Sequence, residues 1–522
     1  MRTVKNPQMS FGQVDIADIQ INLKSRDDIP QLLLGLQHIY TTPELRERVF
    51  ALLEQIIPTR SGAGLSEAER NQPADPNRGR PGMEQWKILV LGILRLGLNT
   101  DYDRIHELAN HHNTIRQMLG HSDWCDDTEY SLQRIKDNLR LFTPELFDQI
   151  NQEVVRAGHI LVKKKPSAGP TAPSNSLAAT TVDSTDKLRG RCDSFVVETD
   201  VHFPTDINLL YDATRKAIEE SHTLAETYGL PDWRQYRHNI RRLKQQYREA
   251  QQIKRSTSRD EAKQAVQEHA IQQAHQHYLN LATAYLGKSE RTLQQALAHG
   301  ALAYETESLQ SYQAYARLLL NQIDRRVIQG ETIPHAEKIF SIFEPHTEWI
   351  SKGKAGIPVE LGLKVCVMED QHRFILHHHI MEKQTDDKVA VTLVTETRRR
   401  FPELTVTSFD KGFHSPANQE ALKNHLEQVI LPKKGRLSEA DKAREGSETF
   451  KQLRHQHAAV ESAINALEHN GLDICPDHGI AGFKRYVALA VVSRNIKRLG
   501  AILRQQALEK EKRKRGPYQK AA

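Results

Sequence analysis

The chain has 522 residues, 26% of them charged and 38% hydrophobic, with a formal net charge of +6. That length exceeds one comfortable core and points to several domains of a polar, globular chain. The longest apolar run, Ile88 to Leu96, falls far short of the roughly 20 residues that a membrane helix needs. Met1 to Lys5 is not followed by an apolar stretch, so no signal peptide is expected. Four scattered cysteines (Cys125, Cys192, Cys366, Cys475) with no CxxC pair suggest reduced thiols, no zinc knuckle and a cytoplasmic, nucleoid-associated protein.

In chain order, residues 1–162 read as helical. Pro43-Glu44-Leu45 opens one helix, Met83 to Leu98 reads as a buried one, and two short amphipathic pieces follow, Asp101 to Asn110 and Asn113 to Leu119. Two short helices joined tightly behind a buried helix fit a helix-turn-helix, which would make this region DNA-binding. Residues 163–188 are rich in Pro, Ser, Thr, Ala and Gly and read as a flexible linker.

Strand patterning then begins, from Arg191 to Phe203, and gives way to a long helical stretch from Asp206 to about Gln329. Strands return at Val359 to Met368 and Arg373 to Met381. A helix from Lys388 to Arg400, a strand from Leu404 to Phe409, a helix from Pro416 to His425 and a strand from Gln428 to Leu431 follow. A long helix, about Ser447 to Glu468, stops at Asn470-Gly471. With the helical stretch set aside, the order is three strands, then helix, strand, helix, strand, helix. That order matches an RNase H-like mixed sheet. The expected class is therefore α+β and multidomain: a core in two parts, 189–206 and 336–500, a helical insertion at 207–335, and a basic tail at 501–522.

Charge is uneven. Residues 510–520 hold six Lys or Arg against one Glu, and 234–255 hold eight against one. Such clusters suit a polyanion, because each cation placed on a phosphate releases counterions; solvated helix faces look the same. Arg237, Arg241, Lys244 and Arg248 form one helical stripe beside the packing stripe of Tyr236, Ile240, Leu243 and Tyr247. Lys352 and Lys354 flank Gly353 in a loop that would let backbone approach phosphate. His377-His378-His379 lies in a strand, where neighbours point to opposite faces, so a structural role is expected.

Three carboxylates draw attention. Asp193 interrupts an apolar strand, Asp410 ends another just before Lys411-Gly412, and Glu461 borders the stripe Leu453, Val460, Ile464, Leu467. Functional groups gather at the carboxyl ends of strands in open α/β sheets, and phosphodiester chemistry with two Mg2+ ions needs a few such oxygen ligands. Each residue also has a bland reading: an edge Asp, a turn-capping Asp, a surface Glu. Asp200 and Asp206 compete with Asp193 for the first position, although Asp206 is expected to cap the following helix.

Taken together the ordered motifs carry a resemblance. The stretch Asp193-Ser194-x-Val196-Val197-Glu198-Thr199-Asp200-Val201-His202-Phe203-Pro204-Thr205-Asp206-x-x-Leu209-Leu210 resembles the first catalytic block of bacterial insertion-sequence transposases of the DDE superfamily. Asp410-Lys411-Gly412-Phe413-His414-Ser415 resembles the second block, and Val429 to Gly435, including Lys433 and Lys434, the strand after it. The Glu461 helix, Gly479 to Phe483 and Arg494 to Leu499 are similar to the third block and its C-terminal helix; the likeness spans roughly 190–500. It implies Asp193, Asp410 and Glu461 as catalytic ligands of Mg2+, with Mn2+ as a substitute. It favours Asp193 through the family's Asp-Ser/Thr pair. It further implies cleavage and strand transfer on double-stranded DNA, at element ends and target, by a homodimer on DNA. Lys352, Lys354, Lys433, Lys434 and the Arg237 stripe are the residues expected to touch DNA. Two features depart from the family: Phe195 stands where a small residue is usual, and Arg454, His457 and Glu468 stand at positions that relatives fill with Tyr, Arg and a basic residue. A nuclease on the same fold without strand transfer, or an inactive DNA-binding relative, are the rival readings.

Overall fold

The computed structural model describes residues 3–56, 82–122, 124, 126–163, 187–253, 257, 259–351 and 358–515. The expected linker falls almost wholly outside them, as do Lys352, Lys354, Cys125 and the last seven residues of the expected basic tail. The protein is α+β, mostly helical, and seven strands among the described residues form one mixed sheet. The chain divides into two compact units, Met1–Thr199 with Gly362–Ala522, and Asp200–Leu361. Among the described residues, no helix is long and apolar enough to cross a membrane.

The first unit begins with helices α1 (Ile29–Thr41), α2 (Pro43–Glu54) and α3 (Gln85–Gly97). Then come α4 (Tyr102–His111), α5 (Asn113–Met118), α6 (Leu132–Leu139) and α7 (Pro144–Lys163). Proline near the start of α1 and α2 sits where a missing N–H costs nothing. Only His112 separates α4 from α5, and its Nδ1 accepts the Ile115 N–H at 3.3 Å. The basic side chain of α5, Arg116, donates to the carbonyls of Asn110, Thr128 and Asp126.

Strand β1 (Leu188–Thr199) leads out of this unit. The second unit carries α8 (Asp206–Thr227), α9 (Tyr236–Gln252), α10 (Glu261–Ala298), α11 (Ala303–Ile323) and β2 (Glu348–Ser351). Its core holds Leu209, Trp233, Leu243, Tyr278, Leu286 and Leu319. Several of its buried polar groups pair: Trp233 Nε1 donates to Thr292 Oγ1 at 2.8 Å, and Ser289 Oγ meets both Ser221 Oγ and Gln313 Nε2 at 2.8 Å. The cap of α8 is Thr205, whose hydroxyl accepts the Asn208 N–H while the Asn208 side chain returns to the Thr205 N–H. Asp206 was the expected cap; it is instead the first helical residue and pairs with Arg326 at 3.0 Å. A reciprocal Thr–Asn box satisfies two orphan donors, which a single Asp one position later does not.

The first unit resumes with β3 (Val359–Asp370), β4 (Ile375–Met381), α12 (Asp386–Arg400), β5 (Leu404–Phe409), α13 (Pro416–Ala421) and β6 (Gln428–Ile430). It closes with α14 (Glu439–Gly446), α15 (Glu448–His457), α16 (Ala459–Leu467), β7 (Ile474–Cys475) and α17 (Gly479–Arg515). The single long helix expected from Ser447 is two, because Ala458 turns tightly (φ −53°, ψ −20°), a 3₁₀-like geometry. The expected stop at Asn470-Gly471 stands, with Gly471 at φ +93°.

The strand order is β2-β3-β1-β5-β6, with β4 also paired to β3 and β7 to β1. β3 lies antiparallel to β1 and β4, while β5 lies parallel to β1 and β6. Residue alternation gives each strand two faces. One face of the sheet (Phe195, Val197, Val365, Val367) shares a core with Leu36, Leu89 and Ile93 of the N-terminal helices and Val487, Val491 and Ile496 of α17. The other face (Cys192, Cys366, Met368) packs against Val389, Leu393 and Leu422. The N-terminal helices and the sheet are therefore one packed body.

The crossing of α1 with α17 is close enough to require glycine. A Cβ on Gly500 would stand 1.7 Å from the Gln31 carbonyl oxygen, and one on Gly35 2.4 Å from that of Ile496. Gly287, inside α10, would meet nothing closer than the end of Arg291 at 3.8 Å. Gly500→Ala is expected to lower unfolding free energy by about 2–3 kcal/mol, and Gly287→Ala to raise it by about 0.5–1 kcal/mol. Urea unfolding measures both; a Gly500→Ala variant as stable as the parent would contradict the crossing.

Candidate active site

Pairing of Cys192 with Phe409 along parallel β1 and β5 means that one further step brings Asp193 beside Asp410. Adjacent strands lie about 4.8 Å apart. The two also share a face. Asp193 alternates with Phe195 and Val197, which meet the helical layer. Asp410 continues the side of Ser408, whose hydroxyl lies 3.0 Å from His457 Nδ1 at the end of α15. Arg191, two residues before Asp193, reaches the same layer and donates to the Gln456 carbonyl at 3.3 Å. Helix α16 then packs on β1, and Glu461 lies in its first turn.

The electrostatics follow from this arrangement. Burial pushes the Asp193 carboxyl up to about 6, and the charges of Asp410, Asp386 and Glu461 push the same way, against one hydrogen bond from the Ser194 N–H. That bond is 2.7 Å long. Burial holds His457 down, at about 4, despite the Asp410 charge beside it, so its imidazole is neutral at neutral pH. Among the described residues, no three His, Cys, Asp or Glu side chains form a group that could hold a metal ion.

Asp386 is a carboxylate that the sequence did not single out. It sits on the opposite face of β1, at the start of α12, where it accepts from Ser194 Oγ at 2.6 Å and Lys364 Nζ at 3.2 Å. Its charge is compensated there. The sequence signal, Thr385-Asp386-Asp387 before a helix, is indistinguishable from ordinary acidic residues at a helix N-terminus. The glycine after Asp410 serves this residue: a Cβ on Gly412 would stand 3.2 Å from Asp386 Oδ2.

The other expected residues scatter. Lys433 is engaged within the fold, its Nζ 2.5 Å from Asp441, while Lys434 is exposed. Arg237, Arg241, Lys244 and Arg248 are all exposed on α9 in the second unit. Their neighbouring stripe packs as expected, with Leu243 buried and Tyr247 stacked on Tyr211 at 5.2 Å. Asp200 and Asp206 belong to the second unit, and His202 lies 3.7 Å from Asp212. His377 approaches Asp148 at 3.8 Å and His379 bonds Gln384 at 2.9 Å, so the histidine run diverges. Cys192 and Cys366 are buried thiols with sulfurs 3.5 Å apart.

In comparisons with known proteins, no family model, no curated protein and no solved structure matches this chain.

The raised pKa of Asp193 has a definite sign in stability. The folded state holds its proton more tightly than the unfolded state, whose value is near 3.8, so stability is lost as pH rises from about 4 through about 6. Asp193→Asn escapes that loss. It is expected to be more stable than the parent above pH 6 in metal-free buffer, by up to about 3 kcal/mol, with the difference gone below pH 4. Thermal unfolding across this range checks it; a pH-independent difference would contradict it.

Proposed function

We propose that this protein is a DNA transposase of the DDE type, with an RNase H-like core whose Asp193, Asp410 and Glu461 serve metal-dependent phosphodiester cleavage and strand transfer. The observation that carries the reading is the parallel pairing of β1, which holds Asp193, with β5, which ends one residue before Asp410, while the helix of Glu461 packs on β1. The pairing β4-β3-β1-β5-β6 supports it: with the inserted unit set aside, these strands occur in the chain as the first three and the two that follow α12.

The donor set fits Mg2+. All three groups are hard oxygen ligands, and burial, with added repulsion from Asp410 and Glu461, raises Asp193, a cost that a divalent cation would relieve. Mg2+ is commonly held by one or two carboxylates together with waters and substrate phosphates, so a closed protein cage is not needed. Asp193 with Asp410, and Asp193 with Glu461, are the pairs that would hold two ions. When bound, such ions activate the attacking oxygen and stabilise the leaving one. The chain's own part would be positional: β1 carries Asp193, Asp410 follows the end of β5, α16 carries Glu461, and His457 is neutral near Asp410. The exposed cations of α9 and Lys434 would contact the phosphate backbone of double-stranded DNA. Joining two element ends calls for at least two copies on DNA, so a homodimer is part of the proposal.

Asp410→Ala is expected to cut Mg2+-dependent cleavage of an element-end duplex by roughly 100-fold or more while leaving far-UV circular dichroism and duplex binding intact. Unchanged activity would overturn the assignment. Gel analysis of the products separates the rivals: cleaved and joined species mark a transposase, cleavage without joining a nuclease, and metal-indifferent binding without cleavage an inactive relative.

A further inference from the structure

Two neighbouring strands hold the break between α15 and α16. Helix α15 ends at His457 and α16 begins at Ala459, so the last carbonyls of α15 lack helical partners. The Gln456 carbonyl takes the Ala458 N–H, and it also accepts from Arg191 Nη1 at 3.3 Å. The next residue, His457, meets Ser408 Oγ at 3.0 Å. Arg191 and Ser408 are register partners on β1 and β5, so two paired strand residues grip two consecutive residues of the break. The Arg191 side chain is only 13% exposed, and its other arm reaches β3. There Nη2 donates to the Asp370 carbonyl at 2.6 Å and lies 3.2 Å from the Glu369 carboxylate. A planar guanidinium can span these three groups, which the point charge of a lysine cannot.

The carboxylates stand a short step from this clasp. Asp193 lies two residues beyond Arg191, and Asp410 two beyond Ser408, about 6.6 Å of extended chain in each case. Glu461 lies four residues beyond His457, about 6 Å along a helix, and that helix packs on β1. We propose that Arg191 is a positioning residue, which fixes the break between α15 and α16 and so sets Glu461 for joint metal binding with Asp193. The proposal rests on the metal-dependent reading above. It adds a group that acts through Glu461 and not on the reacting atoms.

The test uses the full chain with an element-end duplex. Mn2+ binding is read by electron paramagnetic resonance, and Mg2+-dependent cleavage on gels. Arg191→Gln is expected to weaken Mn2+ binding about ten-fold and to slow cleavage by a similar factor. Arg191→Lys, which keeps the charge but not the planar fork, is expected to do the same. Loss of Arg191 leaves the Glu369 carboxylate buried without its ion pair. Arg191→Gln is therefore also made together with Glu369→Gln, a double variant expected to fold and to keep the weakened Mn2+ binding. Glu369→Gln alone retains both carbonyl bonds of Arg191 and is expected to bind Mn2+ as the parent does. In a Glu461→Ala background, Arg191→Gln is expected to weaken Mn2+ binding no further, because the group it positions is already gone. Parental Mn2+ binding in the Arg191 variants, or a full ten-fold loss in the Glu461→Ala background, overturns the positioning role and leaves the metal site standing. Retention by Arg191→Lys assigns the effect to charge and overturns it as well. A parent that neither binds Mn2+ nor cleaves the duplex overturns both.

Discussion

Strand β1 is paired on both edges and packed on both faces, and the rest of the first unit is arranged around that constraint. Because successive side chains must point to opposite sides, Asp193 and Ser194 are sent into different layers. Asp193 faces the helical layer, where the charges of Asp410 and Glu461 act on it, whereas Ser194 bonds Asp386, which Lys364 also pairs. A slip of one residue in the β1 register would exchange these surroundings and turn Phe195 and Val197 out of their core. The apolar residues of β1 therefore fix the position of Asp193.

The two acidic environments differ in how charge is balanced. Asp386 has a lysine and a hydroxyl as partners, and its role is accounted for within the fold. Asp193 has one backbone N–H and three negative neighbours. An uncompensated carboxylate at the edge of a core is a cost that a structural role does not explain, and such perturbed groups cluster at functional sites. His457 adds no positive charge, since burial keeps it neutral. Its ring lies within hydrogen-bond distance of the Ser408 hydroxyl.

Much of this was legible in the sequence. The strands from Arg191, Val359, Arg373 and Leu404 were marked by alternation and β-branched residues, and their order by the helices between them. The pairing of Asp193 with Asp410 was not legible, because register depends on which strands become neighbours. Asp386 was hidden by looking like any acid at a helix start, and Thr205 by the rule that favours Asp as a cap. The break at Ala458 leaves no trace in a stretch of good helix formers. The N-terminal helices read as a separate domain from local composition; only three-dimensional packing joins Leu36 and Ile93 to Phe195 and Val197 in one core.

The central claim is that Asp193, Asp410 and Glu461 act together as ligands of divalent ions. Crystals of the protein bound to an element-end duplex, grown with Mn2+ and measured at its absorption edge, test it most directly. The account predicts anomalous peaks beside Asp193, shared with Asp410 and Glu461. Ordered carboxylates and DNA with no peak at Asp193, or a peak bound by other residues, would contradict it.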